Sequence, residues 1–219
     1  MNVTVIHTTS ATIAPLNALF QREFPEAQVC NILDDSMLRD MNTGRGQNAV
    51  RRRWLQYAQI ARENGAQAVL SACSSVGAFA EEANRLLDIP VYRIDEAMAR
   101  EAVCRGGRIA VLATLSSTLE PTQELIRRIA RRTGSECTVT AALVQGAYEK
   151  LMQGDRPGHD RCIAAQIVRQ AEQADVIVLA QASMAGAASG LAQQIQGKLL
   201  TSPLLGVRAL RDDLRNGGK

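Results

Sequence analysis

Short runs of continuous apolar residues recur along the chain, and each is long enough for a β-strand. The four strongest runs, followed by two weaker ones, are 3–6, 66–72, 108–113, 175–180, 28–33 and 137–144. Because these runs are continuous rather than alternating, they predict strands buried on both faces, as in a parallel sheet. Between them, apolar residues at helical spacing predict helices over 47–64 and 160–173. Strands that alternate with helices are typical of the α/β class.

The second half of the chain repeats the pattern of the first half. The stretch VIHTTSATIAPLNALF (5–20) aligns with VLATLSSTLEPTQELI (111–126), and AQAVLSACSSVG (66–77) aligns with ADVIVLAQASMA (174–185). The stretch VCNILDDSMLRDMNTG aligns more loosely with VTAALVQGAYEKLMQG. Three blocks in the same order indicate an internal duplication.

This duplication predicts two pseudo-symmetric α/β lobes, each with a parallel sheet of roughly four strands flanked by helices. We place the first lobe at 1–97 together with 203–219, and the second lobe at 98–202. The hinge between them is expected near 91–103.

The composition narrows the possible partners. With 46% hydrophobic and 3% aromatic residues among 219, the core must consist mainly of aliphatic side chains. The net charge of +3 indicates no particular partner. The basic clusters at 51–53 and 127–132 contain no aromatic residue that could stack on a base. We therefore expect solvated helix surfaces there and no nucleic-acid binding.

The cysteine pattern and the N-terminal stretch of the sequence predict the cellular compartment of the protein. Five cysteines without a CxxC pair favour reduced thiols in a cytoplasmic protein. The start, MNVTVIHTTS, is typical of a first strand rather than of a signal peptide. No apolar run approaches the roughly 18 residues of a membrane span, so no membrane contact is expected.

Polar turns follow four of the predicted strands. They are HTTSAT (7–12), CSS (73–75), TLSST (114–118) and QAS (181–183). Ligands of open α/β sheets bind beyond the carboxyl ends of the strands, where helix N-termini present free N–H groups. Each turn alone could equally be a helix cap. The four together favour a site that holds a small carboxylate without a metal or a lysine.

Cys73 is the reactive candidate in these turns. A cysteine that closes a buried strand is often a plain core residue. Its place at the head of a predicted helix, however, favours the thiolate form. The other four cysteines lack this setting and are predicted to be structural: Cys30, Cys104, Cys137 and Cys162.

No cofactor or metal is expected. The chain has two histidines, and His159, in the polar stretch GDRPGHD, is predicted to lie at the surface. Nucleotide and flavin motifs are absent from the sequence. His7 ends the first strand and could be a base or a buried structural imidazole. Asp34 and Asp35 follow the second strand and could be bases or turn residues.

The lobe repeat, ACSS at 72–75, ATLSST at 113–118 and VIVLAQASMAG at 176–186 make the sequence resemble the aspartate/glutamate/hydantoin racemase superfamily over nearly its whole length. The resemblance implies an active site in a cleft between the lobes, no cofactor, and often a homodimer. It also implies one cysteine from each lobe, facing opposite sides of the substrate α-carbon. One thiolate removes the proton and the other thiol returns it.

Carried over by this resemblance, Cys73 is the cysteine of the first lobe. The substrate-binding residues that it implies are Thr8, Thr9, Ser10, Ser74, Ser75, Thr114, Ser116, Ser117, Thr118, Ala182 and Ser183. The second catalytic position is Gln181, where the sequence departs from the family. A carboxamide donates and accepts hydrogen bonds but does not shuttle a proton to carbon.

Three interpretations of this departure remain open. Another residue could act as the second base, with His7, Asp34 and Asp35 as candidates. One-thiol chemistry could replace racemisation, because related arylmalonate decarboxylases and maleate isomerases carry out such reactions. The protein could also bind its carboxylate without turnover. We expect a cofactor-independent, racemase-like isomerase that acts beside a carboxylate through Cys73; the alternatives are a decarboxylase of malonate-like acids and a non-catalytic carboxylate binder.

Overall fold

The structure, a computed structural model, describes residues 1–43, 46–188 and 190–217, with Asn42 described by its backbone alone. The chain divides into two compact units. The first comprises Met1–Glu96 with Pro203–Lys219, and the second comprises Ala97–Ser202.

Each unit contains one four-stranded sheet in which all strand pairs are parallel. The strands of the first unit are β1 (Asn2–His7), β2 (Gln28–Leu33), β3 (Ala68–Ser71) and β4 (Val91–Arg93). Those of the second are β5 (Arg108–Ala113), β6 (Thr138–Leu143), β7 (Val176–Leu179) and β8 (Leu199–Thr201). The strand orders, β2-β1-β3-β4 and β6-β5-β7-β8, are the same. The predicted α/β class with duplicated parallel sheets is confirmed.

Helices flank both sheets. They are α1 (Ile13–Glu23), α2 (Ser36–Asn42), α3 (Gln47–Glu63), α4 (Gly77–Leu86), α5 (Glu96–Arg105), α6 (Ser116–Thr133), α7 (Ala147–Met152), α8 (Arg156–Ala171), α9 (Gln193–Gln196) and α10 (Ser202–Arg215). The two predicted helices are confirmed as α3 and α8. Helix α8 begins earlier than predicted because Asp155 caps it through the Gly158 N–H and Pro157 fits its first turn. The expected hinge, 91–103, contains β4 and most of α5.

The internal repeat extends to the hydrogen-bond register. Val3 pairs with Ala68 between β1 and β3, and Ile109 pairs with Val176 between β5 and β7. Just beyond the strands, the Ala72 N–H donates to the Ile6 carbonyl at 3.0 Å. The Ala180 N–H donates to the Leu112 carbonyl at 2.9 Å. The next residues, Cys73 and Gln181, therefore occupy equivalent positions in the two sheets.

The core lies on both faces of each sheet, as continuous apolar strands require. In the first unit, Trp54 of α3 packs in an apolar cluster with Ile6 and Val69. The C-terminal helix contributes Val207 to the opposite cluster, which contains Val5 of β1. This helix therefore packs on the sheet of the first unit.

Two predictions about individual residues need correction. His159 is fully buried, not at the surface, because the early start of α8 places it within the first turns of a packed helix. Cys30 and Cys104 are exposed, so packing does not support the structural role predicted for them. Cys137 and Cys162 are half-buried, and Cys162 packs against the core of the second unit.

Candidate active site

The polar turns of each unit lie at one edge of its sheet. In the first unit, β1 and β3 are neighbours, so the turn after His7 and the turn that contains Cys73 leave the same edge. In the second unit, β5 and β7 are neighbours, which brings together the turns that contain Thr114 and Gln181. The strand order therefore brings two of the predicted turns together within each unit.

Cys73 lies in a short extended segment between β3 and a turn of 3₁₀ helix. Its φ of −136° and ψ of 123° are extended, and the 3₁₀ turn Ser74–Val76 runs directly into α4. The side chain is half-buried and packs against the cluster that contains Ile6 and Val76. Cys73 as a residue is therefore not fully buried in the core. Ser74 and Ser75, predicted as ligand-binding neighbours, are buried.

Sequence reasoning missed a buried charge cluster that supports this turn. The Arg93 guanidinium donates to both carboxylate oxygens of Asp95 at 2.9 Å and also pairs with Glu81. Burial opposes the charge on Arg93, but the Asp95 and Glu81 carboxylates outweigh it and raise the pKa of Arg93. A Cβ on Gly77 would lie 2.4 Å from Arg93 Cζ. Only glycine therefore lets the start of α4 lie directly against the guanidinium.

Thr8, Thr9 and Ser10 form the turn after β1 and differ in exposure. Thr8 is buried, Thr9 is half-buried and Ser10 is exposed. Thr9 caps the following 3₁₀ turn by accepting from the Ala11 N–H at 3.4 Å, which is the cap role that we weighed from the sequence. Among the described residues, neither the Thr8 N–H nor its hydroxyl has a hydrogen-bond partner. Thr8 is thus a buried residue whose N–H and hydroxyl make no hydrogen bond to the described part of the chain.

His7 is fully buried, and both ring nitrogens contact side chains. Nδ1 lies 2.7 Å from Thr12 Oγ1, and Nε2 lies 2.9 Å from Asn31 Oδ1. Because Asn31 Nδ2 donates to Asn17, Asn31 Oδ1 is the acceptor and Nε2 carries a proton. Burial lowers the pKa of His7, although the Asn31 bond opposes that change, so the neutral ring is favoured. A role as base would require His7 to give up one of these contacts, and that role stays a prediction.

Asp34 is tied into a polar cluster at the start of α2. Its carboxylate accepts from Ser36, Arg53 and Tyr57. Burial opposes its ionisation, but the Ser36 bonds, the Arg53 charge and the Tyr57 bond together lower the pKa of Asp34. Its contacts are those of a turn residue. Asp35 is exposed and makes no capping bond.

In the second unit, Gln181 is bonded to Thr114. Its Oε1 accepts from the Thr114 N–H at 2.6 Å and from the Thr114 hydroxyl at 3.0 Å. Gln181 is half-buried and Thr114 is buried. The donors of Thr114, predicted to bind substrate, are therefore already used by the side chain at the second catalytic position.

The remaining predicted residues of the second unit line the two turns. Ser116 and Ser117 begin α6, Thr118 follows in its first turn, and Ala182 and Ser183 begin the 3₁₀ segment Ala182–Ala188. Ser117 Oγ is buried and has no partner among the described residues.

The segment that begins at Ala182 is joined to α8 by a side chain of that helix. Arg156 donates to the Ser183 carbonyl at 2.8 Å and pairs with Asp160, which in turn bonds His159 Nδ1. Gly186 lies under this pair, since a Cβ there would be 3.0 Å from Arg156 Nη2. The Arg156 side chain thus joins this turn to α8.

Residues 1–43, 46–188 and 190–217 contain neither a metal-binding cluster nor a membrane-spanning helix. No group of three or more histidine, cysteine, aspartate or glutamate side chains within them could hold a metal ion. None of the helices in those ranges combines the length and apolar character needed to cross a membrane.

Comparisons with known proteins place this arrangement in a family. The family model described as Asp/Glu/Hydantoin racemase matches residues 2–210. Among curated proteins, none matches the sequence.

Several solved structures share the fold. A glutamate racemase isoform from Bacillus anthracis is 14% identical with a TM-score of 0.77, and the match covers 99% of this chain and 82% of that one. An allantoin racemase from Klebsiella pneumoniae is 16% identical with a TM-score of 0.71, covering 99% and 89%. A putative Asp/Glu racemase from Yersinia pestis is 14% identical with a TM-score of 0.71, covering 97% and 98%. At such low identity, these structures show the fold alone.

Proposed function

Because the chain belongs to the Asp/Glu/Hydantoin racemase family, we propose that it is a cofactor-independent, racemase-like enzyme acting at the carbon beside the carboxylate of a small acid. Cys73 is the thiol that transfers the proton. The observation that carries this proposal is the setting of Cys73, which is half-buried in a turn at the carboxyl edge of the first sheet. That edge is where ligands of open α/β folds bind.

The proton transfer balances without a cofactor. The Cys73 thiolate takes the α-proton and becomes a thiol, while the electron pair of the C–H bond moves into an enediolate. The thiol exchanges its proton with solvent, delivers a solvent-derived proton to the same carbon and is a thiolate again. Hydrogen-bond donors around the carboxylate stabilise the developing oxyanion.

Gln181 limits the stereochemistry of this reaction. In the arrangement that the family resemblance implies, Gln181 stands at the second catalytic position, and its amide does not exchange a proton with carbon at neutral pH. Return of the proton by Cys73 alone exchanges the α-hydrogen with solvent and keeps the configuration. Inversion would require a further acid, such as His7 freed from its contacts.

One-thiol protonation after decarboxylation is the second candidate, and Gln181 is the observation that favours it. A malonate-like acid would lose CO₂, the electron pair of the broken bond would form the enediolate, and the Cys73 thiol would protonate it. Water then restores the thiol proton. This reaction needs one acid and no second base.

Isotope exchange tests the proposal directly. We expect the protein to catalyse incorporation of solvent deuterium beside the carboxylate of at least one small acid in D₂O, observed by proton NMR. Cys73→Ala should slow this exchange by about 10²–10⁴-fold, the usual contribution of a general acid–base group. Cys104→Ala, which changes an exposed cysteine on α5, is the matched control and should keep the wild-type rate. Release of CO₂ from malonate-like acids would instead establish the second candidate.

Full exchange in Cys73→Ala would contradict the role of the thiol. Absence of both exchange and CO₂ release for every acid that binds would contradict an enzyme and favour a non-catalytic carboxylate binder.

A further inference from the structure

Two polar side chains of the first sheet, Thr4 and Cys30, point toward the helix α3. Thr4 of β1 pairs in register with Cys30 of β2 and with Val69 of β3. Residues that pair between parallel strands lie on the same face of the sheet. Val69 belongs to the core cluster that contains Trp54 of α3. Thr4 and Cys30 therefore project from the sheet on the α3 side.

A cleft lies between this part of the sheet and the end of α3. Its volume is about 340 Å³, which is within the range of small-molecule sites. Besides Thr4 and Cys30, its lining includes Ile32 of β2, and Ile60 and Asn64 at the end of α3. Ile60 is 43% exposed, so the helix leaves apolar surface open beside the two polar groups.

The thiol and the hydroxyl in the cleft differ in exposure. Cys30 is exposed, so its thiol is accessible to a reagent from solvent. Thr4 is only 4% exposed, and within the described ranges its hydroxyl makes no hydrogen bond. A buried hydroxyl without a partner costs free energy. A ligand oxygen in the cleft would accept the hydrogen bond that the protein leaves unmade.

We propose that Cys30 and Thr4 form a covalent binding site for small α,β-unsaturated carbonyl compounds that carry an apolar tail. Neighbouring strands lie about 4.8 Å apart, so one conjugated unit reaches both side chains. The sulfur of Cys30 meets its β-carbon, and the Thr4 hydroxyl donates to its carbonyl oxygen. The tail lies against Ile32 and Ile60. This site goes beyond the proposed function and uses no residue of the candidate active site.

The addition balances without an oxidant or a reductant. Cys30 gives its proton to water, and the thiolate forms a bond to the β-carbon. The electron pair of the carbon–carbon double bond moves toward the carbonyl oxygen, where the Thr4 hydroxyl stabilises the developing enolate. Water then protonates the α-carbon. The product is a thioether on Cys30.

Comparison of two exposed cysteines tests whether the cleft binds the compound. The full chain would be treated with pentyl vinyl ketone, and adducts on Cys30 and Cys104 would be followed by peptide mass spectrometry. Cys30 should react at least about tenfold faster than Cys104, because the pentyl tail is buried in the cleft. Its rate should level off at high reagent concentration. Methyl vinyl ketone, which lacks the tail, should reduce the difference. Equal rates that never level off would overturn the proposal.

Variants of Thr4 test the role of the hydroxyl. Thr4→Val removes the hydroxyl at nearly constant shape and should slow the addition at Cys30 by about threefold to tenfold, the effect of one hydrogen bond. Thr4→Ser keeps a hydroxyl and should restore the rate. Dimethyl disulfide has no oxygen to accept a bond, so its exchange with Cys30 should be unchanged in Thr4→Val. No slowing of the addition, or equal slowing of both reactions, would overturn the assignment of Thr4.

A variant of the candidate active site separates this inference from the proposed function. Cys73→Ala should react with pentyl vinyl ketone at Cys30 at the wild-type rate, because the cleft contains no part of the turn after β3. Loss of the Cys30 reaction in Cys73→Ala would contradict an independent site.

Discussion

The turn after β3 and the turn after β7 occupy equivalent places in two sheets of the same strand order, yet they expose different chemistry. In the first unit, Cys73 leaves the donors of Thr8 open. In the second unit, the longer Gln181 reaches Thr114 and closes the equivalent donors. The comparison teaches that a duplicated backbone fixes where donors lie, whereas the length of one side chain decides whether a ligand can use them.

The two turns also differ in how they are supported. Behind the first turn, Arg93 and Asp95 are only 3% and 0% exposed. Beside the second turn, Arg156 and Asp160 are 49% and 27% exposed. A buried pair costs much to break, whereas an exposed pair contributes little. The unit that contains Cys73 therefore has the support that is harder to lose.

The largest expected effect comes from a variant that breaks the buried ion pair between Arg93 and Asp95. Arg93→Ala should lower the free energy of unfolding by about 3–5 kcal/mol, because Asp95 remains buried without its partner. Thr201→Ala is the matched control, since Thr201 pairs with Leu179 as Arg93 pairs with Ser71. It should cost about 1 kcal/mol or less. Urea unfolding measures both, and equal losses would contradict this difference between the units.

A smaller effect is expected where α4 lies against the guanidinium. Gly77→Ala places a methyl group 2.4 Å from Arg93 Cζ, so the helix or the arginine must shift. Overpacking of this kind costs about 1–3 kcal/mol. Gly107→Ala is a suitable control, because a Cβ there meets its nearest atom, the Glu136 carbonyl oxygen, at 3.9 Å. Thermal unfolding of both variants checks the prediction. An unchanged unfolding temperature in Gly77→Ala would refute it.

Matched threonine variants should distinguish the donors of Thr8, which bond no described residue, from those of Thr114, which bond Gln181. Thr114→Val removes one hydrogen bond to Gln181 and should lower the free energy of unfolding by about 1 kcal/mol. Thr8→Val breaks no recorded bond and should be close to neutral for stability, yet it should weaken carboxylate binding. Urea titration and calorimetry separate these effects. Loss of stability in Thr8→Val, together with weaker carboxylate binding in Thr114→Val, would contradict this assignment.

The smallest effect concerns His7, which has no counterpart in the second unit, where Ala113 stands. Because burial lowers the pKa of His7 in the folded protein, the unfolded chain takes up the proton first as the pH falls below about 6.5. Stability should therefore decrease from pH 7 to pH 5. His7→Gln should show a shallower decrease in urea unfolding over this range, and an unchanged slope would contradict the neutral, buried ring.

The fold was predictable because its signals are local and repeated. Continuous apolar strands and three aligned blocks were enough for the two parallel sheets. His159 was placed wrongly because its neighbours in sequence are polar, whereas the cap at Asp155 starts α8 early and carries His159 into a buried position.

The candidate site was predictable only in part. The turns that contain Cys73, Thr114 and Gln181 follow from the strand ends. The bond between Gln181 and Thr114 depends on register and side-chain reach, which only the folded structure gives. The contact of Arg93 with Glu81 joins β4 to α4, and no local pattern indicates it.

The stereochemistry of isotope exchange tests most directly whether Cys73 is the single proton carrier. A bound acid with a stereogenic α-carbon would be incubated with the wild-type protein in D₂O, and deuterium content and enantiomeric excess would be followed together. We predict deuterium incorporation with retained configuration, abolished by Cys73→Ala. Inversion that keeps pace with incorporation would contradict this one-thiol account, because it would require a second proton carrier besides Cys73.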